Sequence, residues 1–329
     1  MKADAVFEGG GVKGIGLVGA VLAAEERGYR WVNLAGTSAG AIVAALLAAG
    51  YSARELRDIL LNLDYRKFLD RSPLDHLPVV GPLASLVLEL GLYEGRYFTA
   101  WLADLLKARG VVTFGDLVLT EYRDDPQYRY RLRVVASDIT RGRLLILPQD
   151  IAAYGINPDD LEVALAVRMS MSIPFFFEPV ILRQRGQHRS RTASVIVDGG
   201  LLSNFPVWLF DSPGLPEWPT FGFKLVEPQE GRPREIRGPL SLLRALIATM
   251  LEAHDARHIQ EQDFVRTIAI PTLGIGTVEF DLDRHRAEAL FYAGYEAAQK
   301  FFADWDFQAY VHAFRLDPPD RDQKGGSLA

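Results

Sequence analysis

Cysteine is absent from all 329 residues, which excludes disulfide bonds and thiol catalysis. A basic surplus is absent too: 36 Lys and Arg stand against 42 Asp and Glu, a net charge of −6, so nucleic acid is not an expected partner. No apolar run reaches the ~18 residues of a membrane-crossing helix. Met1-Lys2-Ala3-Asp4 leads into a strand pattern without an apolar signal region, so a cytoplasmic location is expected. Histidine is scarce. None of the six has the flanks of a catalytic base, and His254 and His258, four apart, lack the intervening Glu of a metalloprotease helix. No carboxylate or histidine cluster has metal-ligand spacing, so neither a metal nor a cofactor is expected. Hydrophobic residues at 49% and charged residues at 24% suit one large α/β core.

Against these absences, glycine is concentrated where it carries chemistry. Gly36-Thr37-Ser38-Ala39-Gly40 has the Gly-x-Ser-x-Gly spacing of a nucleophile elbow, in which a strand turns sharply into a helix and a serine hydroxyl stands at the bend. Asn33-Leu34-Ala35 end the strand, and Ala39 to Ala49 read as an apolar helix closed by Gly50. Upstream, Gly9-Gly10-Gly11-Val12-Lys13-Gly14 follows Ala5-Val6-Phe7 and again reads as strand, glycine loop, helix. Free N–H groups at such a loop form an anion site. Three functions compete for it. A dinucleotide fingerprint needs an acidic residue at the end of the next strand, where Gly36-Thr37-Ser38 stand instead. A P-loop needs Gly-Lys-Ser/Thr, and Lys13 is followed by Gly14. An oxyanion hole facing Ser38 uses both loops together.

An α/β-hydrolase triad is disfavoured, because at most two strands precede Ser38 and no histidine qualifies as base. The candidate base is Asp198, delivered by the apolar strand Val195-Ile196-Val197 and followed by Gly199 and Gly200. A carboxylate within reach can orient the serine and accept its proton. Asp-Gly is also a common turn, so this pairing alone leaves a structural aspartate open.

Together the three motifs, Gly9 to Gly14, Gly36 to Gly40 and Asp198-Gly199-Gly200, resemble the patatin-like phospholipase family. Softer similarities lie in Arg168-Met169-Ser170-Met171-Ser172-Ile173-Pro174-Phe175 and in Ala136-Ser137-Asp138-Ile139-Thr140 with Gly142-Arg143. The resemblance covers residues 5–210. It implies a three-layer α/β/α fold and a lipid acyl hydrolase of phospholipase or lysophospholipase type. In that reading Ser38 is the nucleophile and Asp198 the proton acceptor, working through an acyl-enzyme, with the amides of Gly9, Gly10, Gly11 and Val12 as oxyanion hole. Gly14, Gly36, Gly40, Gly199 and Gly200 shape the motifs. Lys13 either assists an anionic head group or packs at the helix start. Glu8 departs from the aspartate more frequent before the glycines in plant members. Lipid or lysolipid is the implied partner, met by peripheral contact with a membrane surface. The remaining alternatives are a nucleotide-binding oxidoreductase and a catalytically silent lipid-binding scaffold.

The alternation of strand and helix patterns predicts a mainly parallel central sheet between helix layers, as a single domain over residues 1–316 with a polar, disordered tail over 317–329. Ser52-Ala53-Arg54-Glu55 is a capping box. Pro158 is expected to open a helix reaching Met171, and Pro239 to open one reaching Gln262. The oily, Pro- and Gly-broken stretch Leu77 to Leu92 reads as a movable cap or a core helix. The basic run Arg183 to Arg191 reads as a head-group contact or a solvated hairpin tip.

Overall fold

The computed structural model describes residues 1–70, 91–183, 193–212, 214–227 and 261–316, with scattered positions between 236 and 249. The expectations for the oily stretch, the basic run, the Pro239 helix, the two histidines at 254 and 258, and the tail 317–329 fall largely or wholly outside the described residues.

Ten strands are described: β1 Lys2–Phe7, β2 Arg30–Thr37, β3 Gly91–Tyr93, β4 Leu132–Asp138, β5 Arg143–Leu147, β6 Phe175–Phe177, β7 Val180–Leu182, β8 Ser194–Asp198, β9 Thr220–Val226 and β10 Thr267–Pro271. The described α-helices are α1 Gly14–Glu26, α2 Ala39–Ala48, α3 Ala53–Leu61, α4 Arg96–Ala108, α5 Val163–Ser170, α6 Glu261–Val265, α7 Arg284–Asp304 and α8 Phe307–Val311. Eight strands make one sheet in the order β10-β9-β1-β2-β4-β8-β7, with β5 also paired to β4. From β10 to β4 all neighbours are parallel, whereas β5, β8 and β7 join antiparallel. β3 and β6 form a separate parallel pair.

The buried strands and helices explain each other. β1, β2 and β4 are buried almost throughout, as strands covered on both faces must be, and each carries an apolar stretch: Ala5-Val6-Phe7, Leu34-Ala35 and Val134-Val135-Ala136. The first two helices are apolar all round: α1 buries Gly14 through Ala24 without a break, and nearly all of α2 is buried. They pack with Phe7, Leu34 and Val134 on one face of the sheet, where α7 lies against α1. The other face carries Val6, Ala35 and Val135 beneath Leu209 and Phe210 of a short 3₁₀ turn. The expected capping box is present, with Ser52 and Glu55 satisfying each other's backbone at the start of α3. Pro158 does not open a long helix. It starts one 3₁₀ turn, Pro158–Asp160, the chain then extends through Leu161 and Glu162, and α5 begins at Val163.

Candidate active site

At the junction of β2 and α2, Ser38 adopts φ 52° and ψ −125°. Such a conformation costs a non-glycine residue roughly 1–3 kcal/mol, and it persists only where the surroundings hold it. They do so here. The Ser38 N–H donates to Ser170 Oγ at 2.8 Å, and the Ser170 hydroxyl donates to the Val135 carbonyl at 2.6 Å. One buried side chain thus ties the elbow to the neighbouring strand. Gly40 lets α2 cross against β1, since a Cβ there would overlap the carbonyl oxygens of Phe7 and Glu8. Gly36 faces the backbone of Gly40 in the same crossing. α2 has no acidic residue in its first turn, so the positive end of its dipole is left uncompensated beside Ser38.

Asp198 ends β8 and is fully buried. Position at the carboxyl end of a parallel strand is the ordinary way to reach a site in such sheets, but β8 is antiparallel to β4. Asp198 pairs with Ala136, one residue beyond Val135, which pairs with Thr37. The aspartate reaches the elbow because β8, coming from the opposite direction, stops at that level. Its N–H donates to the Ser172 carbonyl at 2.9 Å, and its Oδ1 accepts the Gly200 N–H at 2.7 Å. Oδ2 is buried without a hydrogen-bond partner. Burial pushes the carboxyl pKa up to about 7, against the Gly200 N–H and the Ser38 hydroxyl, which favour the charged form. The Ser38 hydroxyl is therefore close enough to act on Asp198 electrostatically. Its hydrogen bond, however, is directed to Met171 Sδ at 3.5 Å rather than to Oδ2. Gly199 lies against the Val135 backbone.

The glycine loop follows β1. Gly11 has φ +58°, and a Cβ there would overlap the carbonyl of Thr277, so only glycine fits. The Gly9 N–H donates to the Asn204 carbonyl and the Val12 N–H to the Thr277 carbonyl, each at 3.2 Å. Those two amides are occupied. Among the described residues, the Gly10 and Gly11 N–H groups are the ones in the Gly9 to Val12 run that have no acceptor. The loop abuts the serine, since a Cβ on Gly9 would lie 3.1 Å from Ser38 Cβ. Gly14 opens α1 against Ala39. Lys13 is buried, with Nζ 3.2 Å from Glu227 Oε1, so the structure gives its ammonium an ion pair at the helix start. Glu8 accepts from the Leu225 N–H and from Lys224 Nζ, the latter at 3.0 Å.

Several supporting residues carry no motif. Ser170 and Ser172 lie in the segment that ends α5, together with Arg168, which donates to Ser172 Oγ at 2.6 Å and to the Glu94 and Glu178 carbonyls at 2.7 and 2.8 Å. Their only signal was two serines interleaved with methionines after a charged residue in an apolar stretch. Asn204 holds the glycine loop through its backbone carbonyl and through Nδ2, which donates to the Gly9 carbonyl at 3.2 Å, and Thr277 acts through its backbone carbonyl; sequence has no signature for a backbone acceptor. Among the described residues no group of three or more His, Asp or Glu has metal-binding proximity, and no helix is long and apolar enough to cross a membrane. A groove of about 920 Å³ between β10, α7 and α8 is lined by none of these site residues.

Comparison with known proteins gives the family and the fold. The protein YqhO of Bacillus subtilis (strain 168) is 41% identical over 312 residues, 93% of this chain and 100% of that protein. A protein of Acanthamoeba polyphaga mimivirus is 24% identical over 89% of this chain and 91% of its own length. Among solved structures, VipD from Legionella pneumophila superposes with a TM-score of 0.55 at 18% identity, covering 92% of this chain, which spans 66% of VipD. That likeness is one of fold, the three-layer α/β/α arrangement. The model of the patatin-like phospholipase family matches residues 5–211. This chain belongs to the patatin-like phospholipase family, a family of lipid hydrolases.

Proposed function

We propose that the protein hydrolyses fatty-acyl esters of lipids through a Ser38–Asp198 dyad and an acyl-enzyme. The observation that carries this reading is a serine held at positive φ on a strand–helix elbow beside a fully buried carboxylate with one unpartnered oxygen. Buried polar atoms are nearly always satisfied, so an orphan of this kind calls for a role. Rotation of the Ser38 hydroxyl from Met171 Sδ toward Asp198 Oδ2 would supply the missing bond and the proton acceptor at once. Catalytic hydrogen bonds commonly close only when substrate is bound.

In the proposed reaction Asp198 takes the Ser38 proton as Oγ attacks the ester carbonyl. The Gly10 and Gly11 N–H groups receive the developing oxyanion, a contribution of about 3–4 kcal/mol per donor in comparable sites. The leaving alcohol takes the proton from Asp198. Water then attacks the acyl-enzyme, with Asp198 again as base, and Ser38 is regenerated. A proton acceptor with pKa near 7 suits neutral conditions. Lipid or lysolipid is the substrate class, met at a membrane surface.

Hydrolysis of p-nitrophenyl butyrate and of lysophospholipid tests this. Ser38→Ala and Asp198→Ala each are expected to lose at least about 10²-fold in kcat, with a double variant no worse than either single one, because both residues serve one step. Full activity in either single variant would reject the dyad. Lipid binding without turnover in the wild type would favour the silent scaffold.

A further inference from the structure

The connection between β10 and α7, residues 272–283, lies outside the span 5–211 that carries the family motifs, yet it touches the glycine loop directly. The Thr277 carbonyl accepts the Val12 N–H at 3.2 Å and packs flush against Gly11. The connection is itself braced at several points. The Thr272 N–H donates to the Val226 carbonyl at 3.0 Å, and Ile275 is buried. The Glu279 carboxylate accepts the Gly276 N–H at 3.0 Å, one residue before Thr277, and pairs with Arg286 of α7. The Phe280 ring stacks on Phe176, with centroids 5.2 Å apart and planes 9° from parallel.

Phe176 belongs to the other half of the site. Its N–H donates to the Ile173 carbonyl at 3.1 Å, and the preceding residue, Ser172, receives the Asp198 N–H. A continuous set of contacts therefore runs from the glycine loop through Thr277 and Phe280 to Phe176 and on to the backbone that holds Asp198.

We infer that residues 272–283 are a positioning element, in which Thr277, Glu279 and Phe280 hold the glycine loop in register with the Ser38–Asp198 half of the site. The inference rests on the proposed role of the Gly10 and Gly11 amides. These three are positioning residues, acting through the glycine loop rather than on the reacting atoms. Freed from the Phe176 stack, the connection loses its anchor on the Asp198 side, and the Thr277 carbonyl is no longer held against Val12. The donors then meet the oxyanion less well, which lowers turnover while substrate affinity is kept.

The test compares Phe280→Ala, Phe280→Tyr and Glu279→Ala with the wild type. Amide hydrogen exchange of residues 9–13 is read against a reference in β4, alongside kcat and KM on p-nitrophenyl butyrate and the melting temperature. Exchange at Val12 is expected to accelerate about tenfold or more in Phe280→Ala and Glu279→Ala, since it reports local opening, while the reference stays unchanged. kcat is expected to fall about tenfold with KM within about twofold, less than the 10²–10³ of losing a donor outright. Phe280→Tyr, which keeps the stacked ring, is expected to restore both. Should Phe280→Ala not fold, Phe280→Leu provides the same comparison. Unchanged Val12 exchange in the folded variants overturns the inference, as does acceleration spread evenly over glycine loop and β4. If the wild type hydrolyses no ester, the dyad reading fails, and the exchange comparison alone decides the bracing.

Discussion

At Asp198 the needs of the fold and of the chemistry oppose each other. The folded pKa of about 7 stands above the ordinary 3.8, so the native state holds a proton that the unfolded chain has released between those values. This contribution to stability is fully present below pH 3.8 and is lost as pH rises through 7. Asp4, buried on β1 and also raised to about 7 by burial, adds in the same direction. Asp198→Asn is therefore expected to melt higher than wild type at pH 8 and to differ little at pH 4, with a smaller pH slope that leaves the Asp4 part. At 1.36 kcal/mol per unit the pH 8 gain is of order a few kcal/mol. The same substitution is expected to remove activity, whose acidic limb in the wild type should centre near pH 7. Thermal unfolding at the two pH values checks the sign, and a lower melting temperature for the variant at pH 8 contradicts it. Ser170 poses a second residue-scale question. Ser170→Ala leaves the strained Ser38 N–H and the Val135 carbonyl without their partner. A loss of about 1–3 kcal/mol in denaturant unfolding is expected, together with a fall in kcat larger than any change in KM.

The elements explain why some of this was legible in the sequence and some was not. Both glycine loops could be read because each needs glycine for a steric reason, and such reasons leave a pattern of residue types at set spacing. Gly11 and Gly10 illustrate it at different strengths. An alanine at Gly11 meets a backbone carbonyl and a positive φ, whereas one at Gly10 meets the Leu225 side chain, which can turn aside. Gly11→Ala is accordingly expected to cost both kcat, by about 10²–10³ if one donor is displaced, and melting temperature. Gly10→Ala is expected to fold almost as well as wild type. Equal melting losses for the two would show that Thr277 yields as easily as a side chain. Strand direction was not legible: Val195-Ile196-Val197 looks the same in a parallel or antiparallel strand, so nothing in residue type set β8 apart from the parallel strands of the sheet. Nor could sequence tell which amides of Gly9 to Val12 were already engaged, because the acceptors are carbonyls of Asn204 and Thr277, far along the chain. Ser170 and Ser172 were visible only as part of a resembling segment. Nothing in residue type separates a buried serine that holds an elbow from one that faces water.

At the scale of the whole molecule, the motif-bearing span 5–211 is only part of the working unit. β1, which leads into the glycine loop, lies between β2 and β9, and β9 and β10 both come after residue 211. Without them β1 becomes a sheet edge and the loop loses Thr277. The far end of this added part is held by a buried ion cluster at the start of β10. Arg266 is 2.5 Å from Asp211 and 2.6 Å from Asp263, and Arg315 reaches Asp211 at 3.1 Å. It lies at the amino ends of the parallel strands, opposite Ser38. Arg266→Ala removes the cation that bridges Asp211 and the buried Asp263 and is expected to cost about 3–5 kcal/mol of stability, while kcat measured well below the melting temperature stays within about twofold of wild type. A large kcat loss in a fully folded variant would show that the two ends of the sheet are coupled.

The central claim is that Ser38 is an activated nucleophile because of where the fold holds it. Treatment with a fluorophosphonate probe, followed by peptide mass spectrometry, tests this most directly, since the probe bonds covalently only to a serine that can attack. One adduct is expected, on the peptide containing Ser38, absent in Ser38→Ala and at least about tenfold slower in Asp198→Ala, within the usual worth of a general base. No adduct on the folded wild-type protein, or an adduct on another serine that survives Ser38→Ala, would contradict it.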